Sequence, residues 1–431
     1  MYRRIQVALK AWKESPYRKP LVLQGARQVG KTWSILEFGR VQYDNVAYFN
    51  FETDPLLSSS FEESIDPSVL IPILSRLSGQ TITKGRTLLV LDEIQLCERA
   101  VTSLKYFCEN SPEVHVIAAG SLLGVAVNRG RYSFPVGKVD MMTLPPMDVE
   151  EFFLACGDEE LVERIRGCFE RNEPMPAALH EAALARYRTY LLVGGMPECV
   201  AKYVATQDVV LVRHTQDSIL TAYLNDLGKY NSQSDIRKTR LVFDTITVQL
   251  SKKNTRFQYK MLRSGARAAE FENAIEWLVL SGIMIRIFRV DCPRKPLEDH
   301  RDIDSFKTYL TDTGLLCAKK DVLPQDLLVP SRELDDFKGG LAENYVCAQL
   351  SARGHRCFYW SSDRGAEVDF VVQRDGHIVP IEVKSADNTR SKSLGVYITT
   401  NKPETAFRLS TRNFGREGVC RSVPLYAAFC I

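Results

Sequence analysis

The sequence predicts an α/β protein that begins with a parallel sheet carrying helices on both faces. Pro20–Gln24 is a short apolar run that leads into a glycine-containing loop and a helical pattern, while Leu88–Leu91 and Val114–Ala119 are two more strand candidates. Short, largely apolar runs are typical of strands buried on both faces of a parallel sheet. The chain of 431 residues is long enough for several domains. The predicted domains are 1–147, 148–230, 231–325 and 326–431.

Composition limits the class of protein without choosing a function. Hydrophobic residues make up 45% of the chain and charged residues 25%, and the net charge of +3 is too small to indicate nucleic-acid binding by itself. The eleven cysteines form no C-x-x-C pair, which favours reduced thiols over disulfides or a zinc site. No apolar run has the length of a membrane helix, and the first residues lack a signal-peptide core. We therefore expect a soluble cytoplasmic protein without membrane contact.

A phosphate-binding loop follows the first strand. The loop matches the pattern G-x-x-x-x-G-K-[ST] at every fixed position, with strand before it and helix after it. Backbone N–H groups and the helix N-terminus face the phosphates in such a loop, Lys31 reaches the β- and γ-phosphates, and Thr32 binds Mg²⁺. The predicted ATP-binding residues are Gly25, Ala26, Arg27, Gln28, Val29, Gly30, Lys31, Thr32, Trp33 and Asp92.

The second strand ends in an acidic pair that suits ATP hydrolysis. Asp92 stands at the carboxyl end of the apolar run, where it would bind Mg²⁺ through water. Glu93 would orient and polarise the attacking water, because phosphoryl transfer depends on positioning and charge stabilisation. An ordinary strand with a solvated acidic end is the alternative, and the upstream loop argues against it. The predicted cofactors are ATP and Mg²⁺.

Five segments resemble one family. They are Leu23–Thr32, Leu91–Gln95, Phe134–Val139, Leu192–Pro197 and Glu367–Phe370. Together they look like the prokaryotic AAA-type ATPases whose C-terminal part is a domain of unknown function, and the resemblance spans nearly the whole chain. It implies ATP binding and hydrolysis and leaves the physiological task open.

The resemblance also suggests further residues for the ATP site. In AAA-type ATPases a polar residue at the end of the third strand contacts the γ-phosphate or the lytic water, and Ser121 holds that position here. Arg129 and Arg131 follow as candidates for an arginine finger, in this subunit or a neighbour, although a solvated loop explains them equally well. Lys138 is a candidate sensor. Residues 148–230 would form a helical lid, with amphipathic helices over Val149–Glu170 and Glu181–Leu192.

Residues 231–325 predict a winged-helix-like domain. Ala266–Leu280 is helix-like, Ser281-Gly282 is a turn, and Ile283–Val290 is strand-like. Residues 237–289 hold eleven basic against four acidic side chains, which favours DNA docking through helix and wing. The helix itself carries Glu270, Glu272 and Glu276, which would repel phosphates. A structural or protein-contact module therefore remains an equal alternative.

The C-terminal part places two carboxylates and a lysine on a predicted hairpin. Asp369 precedes an Asp-Gly turn, and Glu382 and Lys384 share one face of the returning strand. Glu343 lies in a helical pattern upstream. This arrangement resembles PD-(D/E)XK nucleases, including resolvase-like members with an upstream helical glutamate, although Val368 replaces the literal proline of their motif. We expect Glu343, Asp369 and Glu382 to bind Mg²⁺ or Mn²⁺ and Lys384 to polarise the attacking water.

Explanations without a catalytic role remain open for part of this pattern. Edge strands carry such charges for solubility, so Asp-x(n)-Glu-x-Lys arises often by chance. Arg390 and Lys392 would touch phosphate or lie in a solvated loop, and Asp363 and Glu367 are expected to be solvated neighbours.

Two functions therefore compete. The first is an ATPase coupled to a metal-dependent nuclease-like domain, in which ATP controls access of nucleic acid to the C-terminal site. The second is a regulatory or signalling ATPase switch whose nuclease-like domain is non-catalytic and binds DNA or protein. The predicted partners are ATP, DNA, and a protein partner or a second copy of the chain.

Overall fold

The computed structural model describes residues 1–120, 134–230, 233–251, 256–328, 332–385 and 392–431. They form two compact units. The N-terminal unit comprises residues 2–145 with 280–282, and the C-terminal unit comprises Met1 with 146–279 and 283–431.

The N-terminal unit is built on a five-stranded sheet in the order β2-β3-β4-β1-β5, in which every neighbouring pair is parallel. Its strands are β1 (Leu21–Gln24), β2 (Asn45–Asn50), β3 (Thr87–Asp92), β4 (His115–Gly120) and β5 (Asp140–Thr143). Its helices are α1 (Ile5–Glu14), α2 (Lys31–Gln42), α3 (Pro55–Glu63), α4 (Pro67–Ser78) and α5 (Glu98–Asn110). The parallel sheet predicted from the sequence is confirmed.

Burial explains why these runs become central strands. Every residue of β3 and β4 is buried, so both faces of the sheet are covered. On one face, Leu89 and Leu91 of β3 pack with Phe61 of α3 and Phe107 of α5 in a single apolar cluster. Because a strand covered on both faces buries the side chains of both faces, it does not alternate apolar with polar residues. This accounts for the continuous apolar runs of the sequence.

The C-terminal unit combines helices with a mixed eight-stranded sheet in the order β12-β13-β11-β10-β9-β8-β6-β7. Its helices are α6 (Val149–Ala155), α7 (Glu159–Arg171), α8 (Ala177–Val193), α9 (Pro197–Thr206), α10 (Val209–Tyr230), α11 (Gln233–Leu250), α12 (Ala268–Leu280), α13 (Thr313–Lys319), α14 (Pro324–Leu328), α15 (Arg332–Ala352) and α16 (Lys392–Asn401). Its strands are β6 (Met284–Val290), β7 (Arg301–Leu310), β8 (Phe358–Ser361), β9 (Glu367–Arg374), β10 (His377–Val383), β11 (Ala406–Ser410), β12 (Gly415–Glu417) and β13 (Cys420–Pro424).

The predicted hairpin in this sheet is present. β9 and β10 pair antiparallel with Arg374 opposite His377, so Asp375 and Gly376 form a two-residue turn. Both turn residues have positive φ, 48° and 78°, as the Asp-Gly signal requires. β8 pairs antiparallel with β9, and β11 pairs parallel with β10.

The winged helix is not confirmed. The predicted helix and strand do form, as α12 and β6, but β6 pairs antiparallel with β7 and parallel with β8 and so belongs to the large sheet. The acidic side chains of α12 are also engaged: Arg286 of β6 contacts Glu272 at 2.5 Å and Glu276 at 2.7 Å. Arg286, one of the basic residues on which the DNA-docking hypothesis rested, is therefore engaged in ion pairs within the protein.

The first predicted lid helix is divided in two. α6 and α7 are separated around Gly157, which has a φ of 81°. Asp148 begins α6 with a reciprocal capping box, in which its side chain accepts from the Glu151 N–H and the Glu151 side chain accepts from the Asp148 N–H. Among the described residues, no helix combines the length and apolar character needed to cross a membrane.

Candidate functional sites: a phosphate loop and an acidic cluster

The phosphate loop connects the carboxyl end of β1 to the first turn of α2. Gly25 has a φ of 151°, and a Cβ at this position would lie 2.3 Å from the carbonyl oxygen of Leu144. Gly30 has a φ of 85° and stands just before the first residue of α2. Both glycines of the motif are thus required by backbone geometry, the first because another chain segment lies against it and the second because the backbone is left-handed.

Lys31 lies over its own loop. Its ammonium donates hydrogen bonds to the carbonyl oxygens of Gly25, at 2.9 Å, and Ala26, at 2.8 Å. Burial lowers the pKa of Lys31 to about 8, against the opposing effect of Glu93 and Asp92. The lysine is therefore held at the phosphate-facing loop by neutral acceptors.

Thr32 and Asp92 meet at the carboxyl edge of the sheet. The Thr32 hydroxyl donates a 2.7 Å hydrogen bond to Asp92 Oδ2, and the Tyr48 hydroxyl donates to the same oxygen at 2.9 Å. Asp92 is 2% exposed, and its Oδ1 accepts from the Glu93 N–H at 3.0 Å. A hydroxyl and a carboxylate in contact are the oxygen ligands that Mg²⁺ prefers, so these residues fit the ion that the sequence predicts.

Glu93 is placed by an unusual backbone conformation. Its φ of 51° is left-handed, which turns the chain directly after β3. Its carboxylate accepts a hydrogen bond from the side-chain amide of Gln95. Glu93 is therefore beside Asp92 in sequence but is held by a different partner.

Arg3 is a component of this site that the sequence analysis missed. It is 3% exposed and donates to the carbonyl oxygen of Val29 in the loop at 2.8 Å and to that of Pro145 at 2.7 Å. It thereby joins the loop to the segment that follows β5. A basic residue near the N-terminus belongs to no motif, so no signal in the sequence pointed to it.

The remaining predicted ATP-site residues have different outcomes. Ser121, Arg129 and Arg131 lie outside the described residues. Trp33 is in the first turn of α2 with 48% of its surface exposed. Gln28 lies in the loop with a φ of 63°.

The prediction that Lys138 is a sensor for the phosphate loop of its own subunit is wrong. Leu21 pairs with Asp140 at the amino end of β1, whereas the phosphate loop follows Gln24 at the carboxyl end. Lys138 precedes β5 and therefore lies at the opposite edge of the sheet. Its ammonium pairs with Glu109 at 2.9 Å, which raises the pKa of Lys138.

The second candidate site lies in the C-terminal unit, where β9 and β10 bring the predicted acid–lysine residues together. Asp369 Oδ2 accepts from the Val383 N–H at 2.8 Å, which fixes this carboxylate against the end of β10. Lys384 Nζ lies 2.6 Å from Glu382 Oε1, and Glu382 is 3% exposed. Glu343 reaches the same region from α15 and accepts from the Tyr309 hydroxyl at 3.2 Å.

A second lysine completes this cluster. Lys307 of β7 is fully buried, with its Nζ 2.6 Å from Glu367 Oε1 and 3.7 Å from Glu343 Oε2. Glu367 is therefore an ion-pair partner of Lys307, with 36% of its side chain exposed to solvent. No local pattern pointed to Lys307, because it stands in the segment predicted to be a winged-helix-like domain. We define the acidic cluster as Glu343, Glu367, Asp369 and Glu382 with Lys307 and Lys384.

Burial and mutual repulsion shape the protonation of the cluster. Burial raises the pKa of Asp369 well above its usual range, and the charges of Glu382 and Glu343 raise it further. Burial also raises the pKa of Glu343, against the effect of Lys307. The carboxylates raise the pKa of Lys307 in spite of its burial. The two lysines are thus held as cations beside Asp369 and Glu343, two acids whose pKa is raised.

The predicted three-carboxylate metal site does not fit this arrangement. Within the described ranges no group of three or more His, Cys, Asp or Glu side chains is disposed to hold a metal ion. Glu343 faces Lys307 and Tyr309, Glu382 faces Lys384, and Asp369 faces a backbone N–H. Arg390 lies outside the described residues, and Lys392 begins α16.

The parallel sheet and the phosphate loop lie in the part of the chain that matches a family of known fold. Residues 17–153 match the family model described as an AAA domain, which supports an AAA-type ATPase in this part of the chain. Residues 184–326 and 338–426 match two models described as domains of unknown function, DUF8612 and DUF4143. None of the curated proteins compared matches the chain.

Solved structures of ATPases share partial similarity with the chain. The Walker-type ATPase PABY2304 of Pyrococcus abyssi is 13% identical, with 74% of this chain and 95% of that chain covered and a TM-score of 0.46. ORC1 of Aeropyrum pernix, solved in complex with DNA, is 13% identical, with coverage of 76% and 93% and a TM-score of 0.27. The RuvB Holliday junction branch migration motor of Thermotoga maritima is 15% identical, with coverage of 68% and 88% and a TM-score of 0.26.

Proposed function

We propose that the N-terminal unit binds ATP with Mg²⁺ and hydrolyses it. The observation that carries this proposal is the 2.7 Å hydrogen bond between Thr32 and Asp92 beside a lysine-bearing phosphate loop. These two residues come from different strand–loop junctions, so their contact is a product of the fold and not of sequence proximity. The match of residues 17–153 to an AAA domain supports the same function.

Each residue has a defined task in this proposal. The loop N–H groups and Lys31 bind the phosphates, and Thr32 and Asp92 hold Mg²⁺. The ion, when bound, neutralises negative charge on the phosphates. Glu93 orients the attacking water, and Gln95 fixes the carboxylate of Glu93 through its amide.

The proposal is tested by ATP turnover in two variants. Lys31→Ala should abolish turnover because the phosphates lose their cation. Glu93→Gln should retain bound ATP while turnover falls, since the variant still binds phosphates and Mg²⁺ but cannot polarise water. Turnover by Lys31→Ala at the wild-type rate would show that the ATP site is misassigned.

We further propose that the C-terminal unit is a nuclease-like module that acts on nucleic acid. Support comes from the order α15–β8–β9–β10–α16–β11 and from the meeting of Asp369, Glu382 and Lys384 at the end of one hairpin. The test is cleavage of branched, single-stranded and duplex DNA with Mg²⁺ or Mn²⁺, with and without ATP, against Lys384→Ala. Cleavage that disappears in the variant supports a nuclease and shows whether ATP controls it.

A non-catalytic module that binds DNA or protein is the second candidate for this unit. It is favoured by the ion pairs that already engage Glu343, Glu367 and Glu382. In this case the chain is a regulatory ATPase switch. ATP turnover without cleavage of any DNA substrate, in a preparation whose Lys384→Ala variant behaves as wild type, is the expected result.

A further inference from the structure

The interior of the acidic cluster contains a cation supplied by the chain itself. Lys307 Nζ lies against Glu367 and Glu343 and 5.0 Å from the ring centre of Tyr359. A buried ammonium is costly unless opposite charges and hydrogen bonds compensate it, and here two carboxylates and an aromatic face do so.

The geometry of β7 explains how this lysine reaches Glu343. Lys307 and Tyr309 are two residues apart on one strand, so their side chains leave the same face of the sheet. Both contact Glu343 of α15, Lys307 at 3.7 Å and Tyr309 at 3.2 Å. Glu343 is therefore bound on its inner side by residues that come from outside the predicted nuclease-like domain.

We propose that Lys307 is a built-in cation of the acidic cluster, which holds Glu343 and Glu367 in place of a divalent ion. Glu343 is then a partner of Lys307 and not a metal ligand, and the cluster assembles without metal. Any divalent ion is restricted to Asp369 and Glu382 at the hairpin end. A divalent ion at Glu343 would lie beside a fixed ammonium, and like charges at such a separation repel each other.

Lys307 acts by positioning and not by contact with substrate. With no exposed surface, its ammonium cannot reach a phosphate of a bound polymer. Lys384, with 32% of its side chain exposed, is the lysine of the cluster that solvent and ligands reach. The inference concerns the charge balance of the cluster and holds whether or not the unit cleaves nucleic acid.

Metal binding and thermal unfolding test this inference in the full chain. We would use Asp92→Asn as the background, which removes a proposed Mg²⁺ ligand from the N-terminal unit, and titrate Mn²⁺ alone by calorimetry. Glu343→Gln, added to this background, should not change the affinity for Mn²⁺. Absence of Mn²⁺ binding in both proteins also agrees with a cluster that assembles without metal. A tenfold or greater loss of affinity in Glu343→Gln would overturn the proposal, because it would make Glu343 a ligand.

Lys307→Met tests the same point from the other partner. In EDTA its Tm should fall by about 5–10 °C, because removal of the buried ammonium leaves the Glu343 and Glu367 carboxylates without their cation. Mn²⁺ should restore part of this loss, and should raise the Tm of Lys307→Met more than that of the background protein. Lys320→Met, an exposed lysine of the same unit, is the matched control and should leave the Tm unchanged.

Two results would overturn the inference at this position. One is a Lys307→Met Tm in EDTA equal to that of the background protein, and the other is a loss of stability that Mn²⁺ does not reduce, as expected of a purely structural lysine. If Lys307→Met does not fold, the Glu343→Gln titration still decides the question.

Discussion

The hydroxyl of Thr32 and the carboxylate of Asp92 are joined by a 2.7 Å hydrogen bond at the carboxyl edge of the parallel sheet. Thr32 stands in the first turn of α2, after β1, and Asp92 ends β3, with β4 lying between those two strands. Ligands of open α/β sheets bind outside the carboxyl ends of the strands, where loops from separated strands converge. The bond thus marks the point at which the loop and the acidic strand end become a single site.

Thr32→Val should reduce Mg²⁺-dependent ATP turnover about 100-fold, because valine keeps the volume of threonine and removes the oxygen. Thr32→Ser is the matched control and should retain most of the turnover, since it keeps the hydroxyl. The measurement is steady-state phosphate release at several Mg²⁺ concentrations. Equal turnover in the valine and serine variants would remove the hydroxyl from the proposed mechanism.

Arg3→Met should weaken ATP binding about tenfold or more. Arg3 makes two charge-assisted hydrogen bonds, to Val29 in the loop and to Pro145, and each bond of this kind contributes about 1.5–3 kcal/mol. Without them the loop loses the anchor that orients its N–H groups. The measurement is calorimetric affinity for a non-hydrolysable ATP analogue.

Lys10→Met is the control for this experiment. Lys10 is on α1 and makes only a long, exposed 4.0 Å contact with Glu14 among the ion pairs described, so its loss should not change the affinity. Unchanged affinity in Arg3→Met would mean that the loop holds its conformation without the anchor.

The sequence predicted those parts of the two sites that rest on local patterns. The phosphate loop, the buried strand before Asp92 and the Asp-Gly hairpin each have a signature within about ten residues, and each is present. Their signals are local because turn geometry and strand burial are set by neighbouring residues.

Arg3 and Lys307 had no such signature. Arg3 acts on residues far along the chain. Lys307 of β7 acts on Glu367 of β9, in the same sheet, and on Glu343 of α15. When the role of a basic side chain depends on long-range packing, the sequence alone does not distinguish it from a basic residue on the surface. The winged-helix prediction is not confirmed for a related reason: a helix, a turn and a strand specify local structure but not the sheet that the strand joins.

Asp312→Asn should destabilise the C-terminal unit by an amount that depends on pH. Asp312 accepts from the Gly195 N–H at 2.6 Å and from the Leu315 N–H at 2.8 Å, and an amide would place a donor against one of these N–H groups. Burial raises the pKa of Asp312 to about 6, from an ordinary value of 3.8.

The sign of the pH effect follows from this raised pKa. Between about pH 4 and 6 the folded protein binds the Asp312 proton more tightly than the unfolded chain, so this carboxyl's contribution to stability falls as pH rises through that window. The variant lacks this titration. Its deficit in free energy of unfolding, measured by urea denaturation, should therefore be largest near pH 4 and smaller at pH 7. A deficit independent of pH would contradict the raised pKa.

Arg353→Met should destabilise the C-terminal unit by about 3–5 kcal/mol, the usual cost of removing one member of a buried ion pair. Arg353 lies just after α15, with its Nε 3.1 Å from Asp148 Oδ2, and it also pairs with Glu150. Both carboxylates are buried in α6 or its N-cap, so the variant leaves them without this guanidinium in a medium that disfavours charge.

Arg166→Met is the comparison that separates burial from charge. Arg166 pairs with the same Glu150, but 53% of its side chain is exposed, so water replaces much of the lost interaction. We expect a loss of about 1 kcal/mol or less. Hydrogen exchange of peptides covering residues 148–171 measures both effects where they arise. If the two variants raise hydrogen exchange equally, the prediction is wrong. Burial of the Arg353 side chain would then add nothing to its ion pair with Glu150 beyond the charge interaction that Arg166 also makes.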